Sequence, residues 1–402
     1  MRVSSWEQRK LGDCFEFLKN NTLSRAGLNG ENGTARNVHY GDILIKFGDC
    51  LDGERSDLPF ITDDTVLPKF AGSILREGDV IFADTAEDEA AGKCVELRKL
   101  PKEPTISGLH TIPARPRFPF GTGYLGHYFN SDAYHRQLLP LMQGIKVISV
   151  SKAALQDTQV RFPGLSEQTA IGAALSEIDT LITLHQRKYD KLAQLKKSML
   201  DKMFPKPGER FPEIRFAGFT DPWEQRKFSD MYVVNNERNA NCELGYDRTL
   251  SIATMTFNGG NGAADDSLSN YKIIRIGDIA FEGHTNKVHA YGRFVLNDAG
   301  DGLMSPRFSC LRPIVEQRYS FWKYYIPREE SMRPILVNAT KSGTMMNELV
   351  PDDLMRESIL VPCLAEQEII GNSLSQLDHL ITLHQREPPH TMKEGKNVDQ
   401  HQ

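Results

Sequence analysis

The sequence predicts a mixed α+β protein with two globular α/β domains and two long helices that pair with each other. Three observations support this fold class. Residues 165–187 return at 364–386, with 15 of 23 positions identical. The motif Trp-Glu-Gln-Arg-Lys occurs at 6–10 and again at 223–227. Between each motif and each helix lie short apolar runs separated by Gly, Asn and Asp, which are typical of strands and turns. The chain is therefore predicted to be a tandem duplication.

The composition is that of a folded protein with more than one domain. The 402 residues include 25% charged and 40% hydrophobic side chains, and a chain of this length normally forms two or three domains. No run of 18 apolar residues and no signal sequence is evident, so we expect a cytoplasmic protein without a membrane partner. The net charge of −5 excludes a protein that binds nucleic acid over a uniformly basic surface, but it permits local basic patches.

The first domain is predicted to span residues 1–160. Within it, the apolar runs at 42–45 and 79–83 are predicted to be strands. The sequence Arg-Glu-Gly-Asp before the second run returns as Arg-Ile-Gly-Asp at 275–278, which indicates a shared turn that leads into a strand. The acidic run at 84–89 is interpreted as a solvated loop, since charge runs usually face water.

The first long helix is predicted at 161–204. Its apolar residues recur in alternating steps of four and three, the spacing of a coiled-coil seam, and such a seam requires a partner helix along its length. At 1.5 Å per residue, about 38 helical residues extend roughly 57 Å. The Pro- and Gly-rich residues 205–222 are predicted to form a linker between the halves. The seam residues of this helix are Ile171, Leu175, Ile178, Ile182 and His185.

The second half repeats this order with a domain at 223–361 and a helix at 362–387. Pro388 and Pro389 end the helix, so it is shorter than the first, and the polar tail at 388–402 is expected to be disordered. We interpret the seam histidines as residues that set the register of the helices, in preference to a catalytic role. The seam residues of this helix are Ile370, Leu374, Leu377, Ile381 and His384.

Motifs for nucleotide, dinucleotide or metal chemistry are not found in the sequence, and we predict no catalytic residue, metal or cofactor in this chain. Basic and small polar residues in the loops are candidate DNA contacts. Lys and Arg bind phosphates or guanine edges, and small turn residues let the backbone approach a phosphate. For each residue alone, an ordinary surface position is the favoured interpretation. The candidates are Lys46, Arg115, Arg117, Gly144 and Lys146 in the first half, and Lys287, Arg293, Arg307, Lys341, Ser342 and Thr344 in the second.

Together these features resemble the specificity subunit of type I restriction-modification enzymes. The resemblance covers residues 1 to about 386. It rests on Pro-x-Leu-x-Glu-Gln at 163–168 and 362–367, each at the start of a repeated helix, and on the motif that opens each half. It implies two target recognition domains, each of which reads one half of a bipartite, asymmetric sequence in double-stranded DNA. The helices would pair antiparallel and fix the spacer between the two half-sites.

The resemblance also implies partner subunits. Two methyltransferase (modification) subunits would dock on the helices, and restriction/translocase subunits would join them. Those partners would carry S-adenosylmethionine, ATP and Mg, so this chain itself would be non-catalytic. Three alternatives stay open at this point: a coiled-coil adaptor or structural protein, an enzyme with an unrecognised site, and a specificity-subunit variant that recombination has inactivated.

Overall fold

A computed structural model of the chain describes residues 6–54, 57–259, 265–344 and 346–385. The chain divides into two compact units, Met1–Leu184 and His185–Gln402. Helices and strands occur in both units, which confirms the mixed α+β class. The predicted tail at 388–402 lies outside the described residues, and the boundaries predicted for the recognition domains and the linker stay predictions.

The first unit combines short helices with strands of two to six residues. Its strands are β1 (Glu7–Lys10), β2 (Phe15–Phe17), β3 (Leu28–Asn29), β4 (Arg36–Val38), β5 (Cys50–Asp52), β6 (Phe60–Ile61), β7 (Val80–Ala83), β8 (Thr85–Ala86), β9 (Cys94–Lys99), β10 (Thr105–Ser107), β11 (Thr111–Pro116), β12 (Ile148–Ser149) and β13 (Gln159–Phe162). Its helices are α1 (Leu11–Cys14), α2 (Tyr40–Ile45), α3 (Tyr124–Asn130), α4 (Asp132–His135), α5 (Lys152–Asp157) and the long α6 (Leu165–Lys202), whose residues after Leu184 belong to the second unit.

A five-stranded sheet in the order β2-β11-β7-β9-β5 forms the centre of the first unit. Neighbouring strands are antiparallel except for β5, which runs parallel to β9. Every residue of β7 is buried, as expected for a continuous apolar run, and the strand predicted at 79–83 is confirmed. One core cluster beside the sheet is rich in aromatic residues and includes Phe15, Phe82, Phe129 and Tyr134.

The strand predicted at 42–45 is wrong, because these residues belong to α2. The imidazole Nδ1 of His39 accepts the backbone N–H of Gly41 at 3.1 Å and caps the helix. Asp42 lies buried in the first turn, where Arg25 donates two hydrogen bonds to its carboxylate at 2.7 and 2.8 Å. A carboxylate is favoured at a helix N-terminus, and a short apolar run alone does not distinguish helix from strand.

The second unit contains the remaining elements. Its strands are β14 (Glu224–Lys227), β15 (Tyr232–Val234), β16 (Leu250–Ser251), β17 (Thr256–Phe257), β18 (Lys272–Ile274), β19 (Ile279–Glu282), β20 (Arg293–Leu296), β21 (Gly302–Met304), β22 (Cys310–Pro313), β23 (Thr340–Lys341), β24 (Glu348–Leu349) and β25 (Ser358–Val361). Its helices are α7 (Tyr319–Tyr325), α8 (Glu329–Ala339), α9 (Pro351–Arg356) and α10 (Leu364–His384).

The central sheet of the second unit repeats that of the first. Its order is β15-β22-β19-β20, which corresponds strand for strand to β2-β11-β7-β9. The main core packs against this sheet and includes Trp223, Phe228, Phe321 and Trp322. Among the described residues, no helix has both the length and the apolar character needed to cross a bilayer.

The repeated Trp-Glu-Gln-Arg-Lys motif has the same structural role in both halves. In the first half, β1 pairs antiparallel with β13, with Glu7 opposite Phe162. In the second half, β14 pairs antiparallel with β25, with Glu224 opposite Val361. Each partner strand ends directly before the proline that precedes a long helix. The motif therefore joins the start of each half to the start of its long helix.

Candidate functional site

The glutamines of the two Pro-x-Leu-x-Glu-Gln motifs attach the long helices to their domains. The side chain of Gln168 accepts the backbone N–H of Gly121 at 2.9 Å and donates to the carbonyl of Pro163 at 2.8 Å. In the same way, the side chain of Gln367 accepts the backbone N–H of Arg318 at 3.1 Å and donates to the carbonyl of Pro362 at 2.9 Å. Both glutamine side chains are buried, so the motif is a structural anchor.

A glycine in each helix lets a shorter helix approach closely. A Cβ at Gly172 would lie 2.4 Å from the carbonyl oxygen of Thr122, just before α3, and 2.9 Å from the backbone nitrogen of Tyr124, its first residue. A Cβ at Gly371 would lie 2.4 Å from the Ser320 hydroxyl and 2.6 Å from the backbone nitrogen of Phe321, in α7. Such distances are too short for a side chain, which explains why both copies have glycine here.

The two repeated helices meet within the second unit near their identical Leu-Ile-Thr-Leu-His-Gln-Arg sequences. The Nδ1 atoms of His185 and His384 are 2.8 Å apart. Further along α6, the ammonium of Lys196 lies 2.5 Å from the carboxylate of Asp378. From the first contact to the second, the residue numbers rise along α6 and fall along α10, so the two helices are antiparallel there.

The beginning of each predicted seam packs on its own domain. Ile370 and Leu374 are buried in the main core of the second unit, and Ile171 packs against the aromatic core of the first. The prediction that the seam contacts a partner helix along its whole length is therefore wrong for these first turns. Of the other predicted seam residues, Leu377 is buried, Leu175 and Ile381 are half-buried, and Ile178 and Ile182 are exposed.

Gly144 and Lys146 lie on a short exposed hairpin in the first unit. The backbones of Gln143 and Ser149 close the hairpin with hydrogen bonds of 3.0 and 2.8 Å. Gly144 has a φ of +118°, and a Cβ there would lie 1.9 Å from the carbonyl oxygen of Val147. Glycine is thus required for the turn. Ile145 at the tip is 98% exposed, and Lys146 is exposed beside it.

An equivalent hairpin in the second unit carries Lys341, Ser342 and Thr344. Strands β23 and β24 close it, with Lys341 opposite Glu348. The ammonium of Lys341 lies 3.3 Å from the Glu348 carboxylate, and the side chain remains 65% exposed. Gly343 takes the place of Gly144 in the repeat, and a Cβ there would lie 2.3 Å from the carbonyl oxygen of Met346. Five of the predicted DNA contacts are therefore on two equivalent hairpins.

Both hairpins are held by a backbone bond to the end of a central strand. In the first unit, the N–H of Val150 donates to the carbonyl of Asp84 at 2.8 Å. In the second, the N–H of Asn347 donates to the carbonyl of Gly283 at 2.9 Å. Asp84 and Gly283 follow β7 and β19, the corresponding strands of the two sheets. The two hairpins are therefore attached at equivalent positions of the two central sheets.

Lys287 lies on the connection between β19 and β20, and Arg293 is the first residue of β20. Lys287 is exposed in a turn where the side chain of Asn286 accepts the N–H groups of Val288 and His289 at 2.8 and 2.9 Å. The guanidinium of Arg293 donates to the carbonyl of Ala253 at 2.7 Å. Lys287 is thus available to a ligand, whereas part of the Arg293 guanidinium bonds within its own unit.

The remaining basic candidates lie apart from the hairpins. Arg307 is exposed with its guanidinium over the ring of Phe308. Arg117 is exposed at a cavity of about 480 Å³ that Arg76 and Arg98 also line. The ammonium of Lys46 lies 3.2 Å from the carboxylate of Asp42. Burial raises the pKa of Asp42, but the hydrogen bonds from Arg25 and Lys46 outweigh burial and lower it.

Arg115 has a structural role in the first unit, and its role as a DNA contact stays a prediction. Its guanidinium donates to both carboxylate oxygens of buried Asp79, at 2.9 and 2.7 Å, and to the carbonyl of Ile74 at 2.8 Å. Arg312 makes the same two-pronged contact with buried Asp278, at 3.0 and 2.9 Å. A signal for this pair is present in the sequence, although the prediction did not use it, since both arginines directly precede a proline, Pro116 and Pro313.

The fold and these surfaces define a duplicated protein of two units, with a repeated framework and an equivalent exposed hairpin in the described part of each half. No family model matches the sequence. Among curated proteins, the type I restriction enzyme MjaX specificity subunit of Methanocaldococcus jannaschii is 21% identical, over 98% of this chain and 91% of that protein. The MjaVIII specificity subunit of the same organism is 22% identical, over 64% of each chain.

A solved structure agrees with the fold. The crystal structure of the type I restriction-modification system S subunit from M. genitalium aligns with a TM-score of 0.50 and 11% identity, over 96% of this chain and 92% of that one. At this identity the structural likeness supports the fold alone. The two sequence relatives confirm the resemblance to type I specificity subunits.

Proposed function

We propose that this chain is the DNA-specificity subunit of a type I restriction-modification enzyme and catalyses no reaction itself. The observation that carries the proposal is the pair of equivalent hairpins. The same framework holds a glycine-containing hairpin in each half, but the tips differ: Ile-Lys-Val follows Gly144, whereas Gly343 lies between Lys341-Ser342 and Thr344. A repeated framework with different tips fits a target whose two halves differ in sequence.

The exposed side chains of the hairpins suit contact with duplex DNA. Lys146 and Lys341 can neutralise phosphates, which contributes affinity without sequence preference. The hydroxyl groups of Ser342 and Thr344 can donate to and accept from base edges in the major groove. Lys287, exposed on the connection before β20, can add a further phosphate contact. Each hairpin would thus combine a positioning contact with groups that read sequence.

Methyltransferase subunits are proposed to dock on the long helices. Each helix exposes the same two leucines of its repeat: Leu181 and Leu184 are 55% and 60% exposed, and Leu380 and Leu383 are 38% and 61% exposed. Paired exposed apolar residues are typical of surfaces that bind protein. Two equivalent surfaces suit two identical methyltransferase subunits. S-adenosylmethionine, ATP and Mg would then belong to those subunits and to the restriction subunits.

The proposal is tested by co-expression with the methyltransferase encoded next to this gene, followed by single-molecule sequencing of host DNA for N6-methyladenine. We expect one split motif with a fixed spacer and a methylated adenine on each strand. The substitution Lys146→Ala on the first hairpin should weaken recognition of one half of the motif, or relax its sequence preference. Recognition of the other half should not change. Ser342→Ala with Thr344→Ala should affect only the other half, because each hairpin belongs to a different domain.

The matched control is Lys206→Ala, since Lys206 is an exposed lysine that pairs with Glu213 and lies on neither hairpin. Methylation by this variant should equal that of the wild type. A continuous motif, or a single-hairpin variant that changes both halves equally, would contradict the assignment of one half-site to each domain. A complex that forms but methylates no motif would favour the inactivated variant.

A further inference from the structure

One histidine and two aspartate side chains meet in the first unit, away from its exposed hairpin. They are Asp49 directly before β5, His127 in α3 and Asp179 in α6. The imidazole Nε2 lies 2.9 Å from an oxygen of Asp179 and 3.9 Å from an oxygen of Asp49. Each residue offers one possible ligand atom, and these three atoms all lie within 4.8 Å of one another. The His127 side chain is 7% exposed, whereas Asp49 and Asp179 are 32% and 48% exposed.

The hydrogen bonds around this cluster determine which atoms face its centre. The Nδ1 of His127 lies 2.5 Å from the carbonyl oxygen of Gly123, and a carbonyl only accepts, so Nδ1 carries the proton. In a neutral imidazole, Nε2 then presents its lone pair to two carboxylates, which also only accept. Three electron-rich atoms repel one another unless a proton or a metal ion lies between them, and these are the two states that the position can have.

The outer contacts are those that commonly support metal ligands. A metal-bound histidine usually donates its other ring N–H to a carbonyl or carboxylate, and bound carboxylates accept further hydrogen bonds. Here His127 donates to Gly123, and the side-chain amide of Asn130 donates to the second oxygen of Asp49 at 2.8 Å. The neighbouring Cys50 lies beside the other ring nitrogen, with its Sγ 3.9 Å from Nδ1 of His127 and 3.9 Å from the carbonyl oxygen of Gly123.

The second half contains a cation at the corresponding position. Asp378 is the repeat equivalent of Asp179, and Tyr324 occupies in α7 the place that His127 has in α3. The Tyr324 hydroxyl donates to Asp378 at 2.6 Å. The ammonium of Lys196 lies 2.5 Å from the same carboxylate and 5.2 Å from the Tyr324 ring centre. In the described residues of the first half, the ion pairs of Asp49 and Asp179 are both with His127.

We propose that Asp49, His127 and Asp179 bind a divalent transition-metal ion of the zinc type. One imidazole nitrogen and two carboxylate oxygens are suitable zinc ligands at about 2.0–2.2 Å, which separates neighbouring ligand atoms by about 3.3 Å in a tetrahedral site. The observed separations of 2.9 and 3.9 Å bracket that value. Because both carboxylates are partly exposed, water can complete the coordination. The ion would join α6 to α3 and to the start of β5, and its binding does not depend on the proposed DNA function.

The test is metal binding by the full-length chain. Protein stripped with a chelator is incubated with ZnCl₂, separated by gel filtration in metal-free buffer and analysed for bound zinc. We expect one zinc ion per wild-type chain and a higher unfolding temperature with zinc, because a ligand that binds only the folded state stabilises it. Bound Co²⁺ should give visible absorption bands. Asp49→Asn and Asp179→Asn, which keep side-chain size, should lose both the zinc and the temperature increase.

The repeat provides the matched control. Asp378→Asn removes the equivalent carboxylate from the second half and should leave zinc binding unchanged. Asp179 is half-exposed, so its variant is expected to fold, and circular dichroism checks this for each protein. If the wild-type chain retains no zinc, the proposal is overturned. A proton on Nε2 of His127 would then lie between the ring and the two carboxylates. Equal zinc binding by folded Asp179→Asn would also overturn it, since the metal would then bind elsewhere.

Discussion

At the scale of single residues, the arginine–aspartate pairs in the two domains connect the repeated sequence to its fold. Asp79 and Asp278 each accept two hydrogen bonds from an arginine and one from the backbone N–H three residues earlier, at 2.8 and 2.9 Å. The arginine comes from the neighbouring strand, β11 or β22. One buried carboxylate thus holds the turn before a strand and the strand beside it, which explains why Gly-Asp recurs there.

Removal of Arg312 is expected to destabilise the second unit. Arg312→Ala leaves the carboxylate of Asp278, which is 1% exposed, without its main charged partner. Loss of one partner from a buried ion pair typically costs 3–5 kcal/mol, and the partial exposure of Arg312 lowers our expectation to about 3 kcal/mol. Urea unfolding of the second unit measures the change. Arg307→Ala, at an exposed arginine, is the control and should change the free energy of unfolding by less than about 0.5 kcal/mol. Equal effects would contradict the structural role.

The sequence identified much of the framework but not the partners of individual side chains. Repeated motifs located both long helices and the strand after each Gly-Asp turn, because packing constrains these positions in both halves. Arg115 was assigned to DNA because a basic residue in a loop looks the same whether it is free or paired. Its partner Asp79 lies 36 residues away, so only the recurrence of Gly-Asp and Arg-Pro in both halves connects the two. The helix at 40–45 was missed for a similar reason, since the contact of Asp42 with Arg25 is not local.

At the scale of elements, the contact between α6 and α10 includes a pair of histidines whose hydrogen bond depends on protonation. A distance of 2.8 Å between two Nδ1 atoms requires one nitrogen to donate and the other to accept, so a single proton lies between the rings. Protonation of both rings would remove the acceptor. Burial, followed by the nearby Lys188 and His185, lowers the pKa of His384 from its ordinary value of 6.5. The folded chain therefore favours the neutral imidazole.

The helix contact is expected to weaken in acid. Because the folded pKa of His384 lies below the unfolded value, its contribution to stability is present above about pH 6.5 and is lost as the pH falls through the folded pKa. Calorimetry should record a lower unfolding temperature of the second unit at about pH 5.5 than at about pH 8.

A paired substitution separates this effect from general acid sensitivity. His185→Leu with His384→Leu places apolar side chains at both positions, so the doubly substituted chain should lose part of the pH dependence and gain stability at low pH. An unchanged pH dependence in this variant would assign the acid sensitivity to groups other than this histidine pair.

At the scale of the whole molecule, the two halves have separate cores. Leu125 belongs to a cluster formed by residues of the first unit. Leu374 belongs to a cluster formed by residues of the second. The exposed fractions of these two leucine side chains are 1% and 0%. Proteins with separate cores often unfold in more than one step. The two leucines therefore provide a matched pair of substitutions, one in each core.

We expect two calorimetric unfolding transitions. Leu125→Ala should lower the temperature of one transition and Leu374→Ala that of the other, because each substitution leaves a cavity in a different core and typically costs 2–5 kcal/mol. Each variant acts as the control for the other. A single transition that both substitutions lower equally would indicate that the two cores unfold as one cooperative unit.

The attachment of the two hairpins has a consequence for how this protein can evolve. Each tip is joined to the framework by a glycine turn and short backbone pairings, such as that of β12 with β8 in the first unit. The anchoring glutamines, glycines and arginine–aspartate pairs lie elsewhere. Substitutions at the tips therefore carry little risk of unfolding the chain, and selection can act on the ligand preference alone. Such a molecule can acquire a new preference in one half while the other half inherits the old one.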